Sequence, residues 1–236
     1  MPPFILNLNN KRKLYILVTI VYYKMMPLIL KLKKTRYKEI AKAQDIIIEE
    51  LYREFENAVL HGGTSVWRCY QGNRFSEDID VYIAKSMLKI ENLFNNLQKR
   101  GFAVNKKKIS NNSIYSDLTF NRINVRLEAI FKKSVAYLKE YETSEGNLIT
   151  VYTLTPEQLI KEKISAYLNR LKIRDLYDIF FLLRYVKNKD EVVKELNKLI
   201  KNFKEPIDKD ELKVLIIEGL VPDTKKMIDY IRRWMK

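Results

Sequence analysis

The hydrophobic pattern of this chain changes its period at Pro156, and the change limits the folds open to it. Before Pro156, short apolar runs stand between polar turns, whereas after it apolar residues recur at helical spacing. Thr155-Pro156-Glu157-Gln158 is a helix start, because Thr can cap the helix, Pro suits its first turn and Gln completes a capping box. The pattern predicts an α+β fold in which a domain with a small mixed sheet precedes a helical domain.

Spacing and turn signals give the individual elements. Thr64 or Ser65 is expected to cap a short helix. Turn signals at Asn111-Asn112 and Asn121-Arg122 divide residues 102–131 into three strands. The other predicted helices are 37–57, 86–100, 156–170, 174–187, 190–203, 208–218 and 222–235, and the other strands are 58–60, 78–83 and 148–153.

Rare residue types exclude several classes of protein. Of 236 residues, one is cysteine and one is histidine. A single thiol, Cys69, cannot form an intramolecular disulfide and is expected in the core, and a single histidine, His61, excludes a His-rich metal site. The net charge of +15 is spread over the whole chain. It fits either a polyanionic partner or a lysine-rich proteome, and charge alone does not choose between them.

The N-terminus carries an apolar run at residues 14–23 that follows Lys11-Arg12-Lys13. It is too short to span a bilayer, Lys24 interrupts it, and no cleavage site of small residues follows. We therefore expect a cytoplasmic protein with no membrane partner. The predicted division is an N-terminal extension that the sequence does not define, an α/β domain and a helical domain, at residues 1–35, 36–154 and 155–236.

The segment most informative about chemistry contains Gly62-Gly63 and, further on, Asp78 and Asp80. The two carboxylates are two apart in a predicted strand, so they project from the same face and repel each other unless a cation lies between them. Mg²⁺ prefers such oxygen ligands together with substrate phosphates. The glycines let the backbone approach a phosphate at a helix start, and Arg74 and Ser76 could hold phosphate oxygens.

A third carboxylate is expected on a neighbouring strand. Alternation within residues 123–131 puts Asn124, Arg126 and Glu128 on one face, and Glu128 is the candidate base or further metal ligand. An Asp-x-Asp pair alone is common on exposed strands. After a strand, two glycines and a helix start, the pair is far more specific.

With these motifs the chain resembles the AbiEii/AbiGii-type toxins of the nucleotidyltransferase superfamily, the toxins of type IV toxin–antitoxin systems. The resemblance covers residues 60–185. It is carried by Gly62-Gly63-Thr64-Ser65, by Arg74-Phe75-Ser76-Glu77-Asp78-Ile79-Asp80, by Glu128, by Lys163 and by Arg174-Asp175-Leu176-Tyr177-Asp178.

The resemblance implies a nucleotidyltransferase-fold domain, an NTP donor, Mg²⁺ or Mn²⁺, and a nucleotide acceptor, which in related toxins is the 3′ end of tRNA. It also implies an antitoxin on a separate chain. By the family pattern Asp78 and Asp80 bind metal with Glu128 as the third acidic residue, Lys163 contacts the NTP phosphates, and Asp175 is a further catalytic residue. The glutamate at 128 departs from the aspartate of many nucleotidyltransferases. The nucleotide-binding residues predicted in this way are Gly62, Gly63, Thr64, Ser65, Arg74, Ser76, Lys163 and Arg174.

Cations in the helical part support this prediction. Lys163, Arg170 and Arg174 would share a face if one helix continued through them, and that face could neutralise a triphosphate. Asp175 and Asp178 lie in the first turn of the next helix, where acids complement the helix dipole. We favour nucleotide contact or catalysis for Asp175, and both a structural and a catalytic role stay open for Asp178.

The sequence is consistent with three functions. The leading one is a metal-dependent nucleotidyltransferase toxin in which an RNA hydroxyl attacks the α-phosphate and pyrophosphate leaves. The second keeps the chemistry but uses a small-molecule or protein hydroxyl. The third is a non-catalytic RNA-binding module, against which the intact acidic residues argue. His61 either touches nucleotide or, as is commoner for a lone histidine, forms structural hydrogen bonds.

Overall fold

The computed structural model describes residues 26–236. The apolar run at 14–23 and most of the predicted extension at 1–35 lie outside these residues. The helices are α1 Leu28–Lys31, α2 Thr35–Glu54, α3 Gly62–Cys69, α4 Met87–Lys99, α5 Pro156–Arg170, α6 Ile173–Leu182, α7 Asp190–Lys201, α8 Glu211–Leu215 and α9 Thr224–Met235, with a 3-10 turn at Leu183–Tyr185. The strands are β1 Val59–His61, β2 Ile79–Ile83, β3 Ala103–Ile109, β4 Ser113–Phe120, β5 Ile123–Phe131, β6 Tyr137–Glu142 and β7 Leu148–Thr153.

All seven strands join in one mixed sheet in the order β3-β4-β5-β2-β1-β7-β6. The pairs β1–β7 and β2–β5 are parallel, and the others are antiparallel. The predicted α+β class with a mixed sheet is confirmed. The sheet is larger than expected because β6 was missed. Its sequence, Tyr-Leu-Lys-Glu-Tyr-Glu, carries charges on both faces and so lacks a clear alternation.

The two faces of the sheet have different neighbours. Strand β5 alternates buried Val125, Leu127 and Ala129 with more exposed residues, and the buried side packs against α2, which in turn packs on α4. On the opposite face, α5 lies over β1 and β2, where Glu162 contacts His61. Over β5 that face is open, since Ile130 is 43% exposed. This face of the sheet is therefore covered over β1 and β2 and exposed to solvent over β5.

The ends of the helices explain where side chains converge. Helix α5 begins with the predicted capping box, in which the backbone N–H of Gln158 donates to the Thr155 hydroxyl and that of Thr155 donates to the Gln158 side chain. It ends at Leu171, whose φ of 52° is left-handed. No continuous helix therefore joins Lys163 to Arg174. Instead, α5 and α6 form a helical hairpin.

Some predicted boundaries were wrong. Helix α3 begins directly at Gly62, and neither Thr64 nor Ser65 caps it, because the glycines let β1 run straight into the helix without a loop. The helix predicted at 174–187 ends at Leu182 and gives way to the 3-10 turn. The predicted turn at Asn121-Arg122 is confirmed, with both residues at positive φ.

None of the helices within residues 26–236 combines the length and the apolar character that crossing a bilayer requires. The buried side chains of the α/β and helical parts form one core. The helical part packs on the sheet through α3, which contacts both α5 and α6. The site described below lies where these two parts meet.

Candidate active site

Strand pairing brings the side chains of His61, Asp80 and Glu128 into one row across the sheet. β1 pairs with β2 so that His61 lies opposite Asp80, and β2 pairs with β5 so that Asp80 lies opposite Glu128. Residues directly opposite each other on neighbouring strands project from the same face. Asp78, two residues before Asp80, adds a further carboxylate on that face. The three predicted acidic residues therefore share one side of the sheet.

The two glycines let the backbone lie against this row. Gly62 has a φ of +70°, and its Cα rests against the carboxylate of Asp80. A Cβ on Gly63 would lie 2.6 Å from the Ser76 hydroxyl and 2.7 Å from Arg74 Nη2. Any larger residue would therefore push aside side chains of the site. This close approach leaves the start of α3 beside the carboxylates.

Asp80 is the least compensated charge of the site. Its carboxylate is partly buried, and its interactions with the residues described are electrostatic ones through space, with no hydrogen bond among them. Burial raises the pKa of Asp80, and the charge of Asp78 adds to the effect, while His61 and Lys163 oppose it. A carboxylate in this state gains from a cation or a proton.

Asp78 already has a partner that the sequence did not identify. Arg126 on β5 donates from Nε and Nη2 to the two carboxylate oxygens of Asp78, at 2.8 and 2.7 Å. Arg126 Nη1 also lies 4.0 Å from the Glu128 carboxylate. Alternation had placed Arg126 on this face without a role. Burial raises the pKa of Glu128, and the charge of Asp80 adds to the rise.

Cations of the helical part and of the loop before β2 meet around two buried aspartates. Asp178 accepts hydrogen bonds from Arg74, which binds both of its oxygens, and from Lys163 Nζ at 2.8 Å. Asp175 accepts from Arg170 at 2.7 and 2.8 Å and lies 3.5 Å from Lys163 Nζ. Three cations thus surround two anions, which leaves one positive charge in excess beside the carboxylate row.

The pKa of Asp178 reflects this surrounding. Burial alone would raise it, but the charges and hydrogen bonds of Arg74 and then Lys163 outweigh burial and hold the pKa below its ordinary value. Arg74 and Lys163 reach the site from sequence positions far apart. Asp178 therefore ties the loop before β2 to helices α5 and α6.

Other predicted nucleotide-binding residues differ in what they offer. The Thr64 hydroxyl donates to the backbone oxygen of Asp78, and the fully buried Ser65 hydroxyl bonds to that of Thr153 at 2.6 Å. Both hydroxyls are thus engaged within the protein, so any contact of these residues with a ligand would come from the backbone at the start of α3. Ser76 lies beside Gly63 with its hydroxyl toward the site. Arg174 lies outside the cation cluster, within electrostatic range of Glu211.

His61 and Cys69 behave as structural residues. His61 Nδ1 lies 3.3 Å from a Glu162 oxygen, and its ring stacks on Tyr82 with centroids 3.9 Å apart. Tyr82 donates to the same carboxylate. These contacts support the structural role of His61, which lies opposite Asp80 on the neighbouring strand, and its contact with nucleotide stays a prediction. Cys69 is buried, as expected, and burial raises the pKa of its thiol to about 12.

Carboxylate oxygens are the type of ligand that a divalent cation prefers, but in this structure the carboxylates do not converge on one metal position. Among residues 26–236, no three carboxylate, imidazole or thiol groups lie close enough to hold one metal ion. Asp78 is turned to Arg126, whereas Asp80 has no hydrogen-bonding partner there. The oxygen-only set and the uncompensated Asp80 fit a hard cation, provided that Asp78 leaves Arg126.

Comparison with known structures defines the class of protein first. JHP933 from Helicobacter pylori has the same fold, with a TM-score of 0.59 and 19% identity over 86% of this chain and 91% of that one. MenT4, a nucleotidyltransferase toxin from Mycobacterium tuberculosis, gives a TM-score of 0.58 and 17% identity over 85% and 82%. The chain has a nucleotidyltransferase fold.

The family follows from the sequence. A family model described as "Nucleotidyl transferase AbiEii toxin, Type IV TA system" matches residues 48–229. The chain belongs to this family, and the resemblance noted from its motifs is confirmed. It is a nucleotidyltransferase of a toxin–antitoxin system, for which a nucleotide substrate and an antitoxin partner follow. No curated protein matches the chain in sequence.

Proposed function

We propose that this protein is a metal-dependent toxin that transfers a nucleotide from an NTP to an RNA acceptor, the 3′ end of tRNA. The observation that carries the proposal is Asp80, a partly buried carboxylate with no hydrogen-bonding partner among the described residues. It lies beside the carboxylates of Asp78 and Glu128 and against Gly62, the first residue of α3. Such an arrangement is unfavourable until positive charge and phosphate arrive together.

The reaction is a substitution at phosphorus. The 3′ hydroxyl oxygen of the acceptor forms a bond to the α-phosphorus of the NTP, the bond from that phosphorus to the bridging oxygen breaks, and pyrophosphate leaves. The hydroxyl proton needs an acceptor. We assign it to Glu128, which is 41% exposed in its side chain and whose pKa is raised by burial and by Asp80. A raised pKa makes a carboxylate a better base.

The triphosphate is assigned to the junction of the two parts of the chain. Gly62 and Gly63 let backbone N–H groups approach the phosphates, and the Ser76 hydroxyl lies beside them. The Lys163 ammonium has three N–H donors, of which Asp175 and Asp178 occupy two, so one remains for a phosphate oxygen. The two aspartates thus position Lys163.

Asp78, Asp80 and Glu128 would hold Mg²⁺ or Mn²⁺, which when bound supplies Lewis-acid stabilisation of the phosphate charge. Asp78 must then exchange its ion pair with Arg126 for the metal. Arg126 is 44% exposed in its side chain, so its release into water costs little. Arg74 and Asp175 act on the phosphates through the cluster that they build. Arg174, near Glu211, is assigned to the outer edge of the site.

The RNA acceptor is proposed from the family resemblance, and the charge of the chain agrees with it. The net charge of +15 suits a polyanion, and a tRNA end is the acceptor that the family resemblance implies. The antitoxin is proposed to be a separate protein. A protein or small-molecule hydroxyl would leave the donor side of the site unchanged, so the acceptor has to be identified by experiment.

The test is transfer of label from each of the four α-³²P NTPs to total RNA and to total protein. Label in the tRNA band supports the proposal, whereas label in protein or small molecules alone would replace the acceptor. Asp80→Asn should abolish transfer. Asp190→Asn, an exposed aspartate on α7, is the matched control and should retain it. Transfer by the Asp80 variant at the wild-type rate would overturn the assignment of the site.

A further inference from the structure

The row that holds the catalytic carboxylates continues across the sheet onto β4 and β3, whose side chains on this face are exposed or half-buried. Glu128 on β5 lies opposite Tyr115 on β4, and Tyr115 lies opposite Lys108 on β3. Since neighbouring strands are about 4.8 Å apart, Tyr115 is roughly 10 Å from the Asp80 position along this row. An aromatic side chain and a lysine therefore follow the catalytic end in order.

A second row runs beside the first. Arg126 lies opposite Asp117, and Asp117 lies opposite Lys106. The Lys106 ammonium reaches back over Tyr115, 5.2 Å from the centroid of its ring. We call the surface formed by Lys106, Lys108, Tyr115 and Asn124 the open sheet face.

Polar side chains extend this face away from the acidic residues. The Thr119 hydroxyl donates to Asn124 Oδ1 at 2.7 Å, and Asn105 donates to the Thr119 oxygen at 2.6 Å. Asn105, Lys106 and Lys108 are exposed. The face thus offers hydrogen-bonding groups and two exposed ammonium groups around one aromatic ring, with the half-buried Asp117 carboxylate opposite Lys106.

Lys107 shows that this placement is specific to alternate residues. It lies between the two lysines of the face, opposite Ser116, and so points to the other side of the sheet. There its ammonium binds the Glu91 carboxylate of α4 at 2.9 Å and lies over the Phe94 ring. The three consecutive lysines therefore divide into two on the open sheet face and one on the helix side.

We propose that the open sheet face binds the single-stranded 3′ end of the acceptor RNA. The inference rests on the proposed function and names where its acceptor lies. A base stacks on Tyr115, and the ammonium groups of Lys106 and Lys108 contact the phosphates that lead to the reacting hydroxyl. Aromatic rings among basic side chains are the means by which proteins bind single strands without reading sequence. Glu128, in the same row, then meets the terminal hydroxyl.

The face suits a single strand better than a duplex. Stacking on Tyr115 needs an unpaired base, and the bases of a duplex are already stacked. A protein ligand would have to satisfy the lysines and the amide groups with carboxylates, and it would not place a hydroxyl beside Glu128. Binding of an acidic peptide in place of RNA is therefore an outcome that would overturn the proposal.

The test uses the full chain and two 5′-labelled RNA hairpins, one with a single-stranded 3′ extension and one blunt. Binding is measured by fluorescence anisotropy over a range of salt concentrations. The variants are Lys106→Gln with Lys108→Gln, and Tyr115→Leu. Lys107→Gln is the matched control, because it removes the same charge from the same strand on the helix side. Thermal unfolding of each variant shows that it is folded.

The wild type should bind the extended hairpin more tightly than the blunt one. Removing two phosphate contacts should lower the slope of log K against log salt by about 1.4 for a single strand. Tyr115→Leu should weaken binding about tenfold at constant slope. In transfer assays, both variants should raise the KM for RNA and leave the KM for NTP unchanged, while Lys107→Gln changes neither.

Different results would refute the proposed function and the proposed acceptor site. If the wild type labels no RNA, the proposed function fails. If it labels RNA but the paired lysine variant and Tyr115→Leu bind and react like Lys107→Gln, the open sheet face is not the acceptor site. Equal affinity of the wild type for the blunt and extended hairpins would also refute it.

Discussion

Replacing Asp178 by asparagine tests the cluster that joins the two parts of the chain. Asp178 is fully buried and binds Arg74 through both oxygens and Lys163 through one. The substitution removes the ion-pair partner of buried Arg74 and leaves buried Lys163 with the carboxylate of Asp175 alone. Removing one partner of a buried ion pair costs about 3–5 kcal/mol. For a chain of this size each kcal/mol lowers Tm by about 2–4 °C, so we expect a fall of about 6–20 °C.

The assay is urea and thermal unfolding at pH 7, followed by circular dichroism. Asp229→Asn is the matched control, since it breaks an exposed pair with Arg232 that is worth at most about 1 kcal/mol. The pKa of Asp178 is depressed below its ordinary value of 3.8 in the folded chain, so its stabilisation is present above that pH and lost as pH falls through the folded value. The gap between wild type and variant should therefore persist from pH 7 to 5 and narrow below pH 4. A Tm for Asp178→Asn equal to that of Asp229→Asn would refute the role of the cluster.

Three further substitutions probe the carboxylate row. Asp80→Asn should abolish transfer and raise Tm at pH 7. Burial raises the pKa of Asp80 in the folded chain, so keeping this carboxylate ionised costs stability at pH 7, and asparagine removes that cost. An unchanged or lower Tm would contradict this reasoning. Gly62→Ala should cost at least about 1–2 kcal/mol in urea unfolding, because alanine is strained at a φ of +70° and its Cβ would also clash with the Asp80 carboxylate. A neutral effect would contradict both the backbone conformation and the close approach to Asp80. Arg126→Gln should tighten Mn²⁺ binding without NTP about two- to fivefold, since it frees Asp78; calorimetry showing equal affinity would mean that the ion pair does not compete with the metal.

The sequence predicted those features that depend on local spacing. The period change at Pro156 and the capping box gave the start of the helical part within a residue. Alternation put Asp78 and Asp80 on one face of their strand, and it put Arg126 and Glu128 on one face of a second strand. Family motifs then identified the class of enzyme, which spacing alone could not do.

Contacts between residues far apart in the sequence could not be predicted from the sequence. Arg126 and Asp78 are 48 positions apart, and Arg74 and Asp178 are 104 apart, so no local pattern shows that they pair. The strand order decides both, and it was not predicted. The same limit explains Arg174. It was grouped with Lys163 by helical spacing, but the left-handed Leu171 ends the helix between them.

Helix α3 shows a different limit. Ser and Thr are common helix caps, and Thr64 and Ser65 follow the glycines, so capping was a reasonable prediction. Their hydroxyls instead bond to the Asp78 backbone and to Thr153. These bonds fasten the helix start to the strands on either side, a use that becomes visible only when the sheet is assembled.

The most direct measurement of the central claim compares two positions of the label on the donor. The protein is incubated with tRNA and NTP carrying ³²P at either the α- or the γ-phosphate. Nucleotide transfer predicts label in RNA from the α-position alone, release of labelled pyrophosphate from the γ-position, and loss of both when Asp80 is replaced by asparagine. Label in RNA from the γ-position, or equal labelling by the Asp80 variant, would contradict the account.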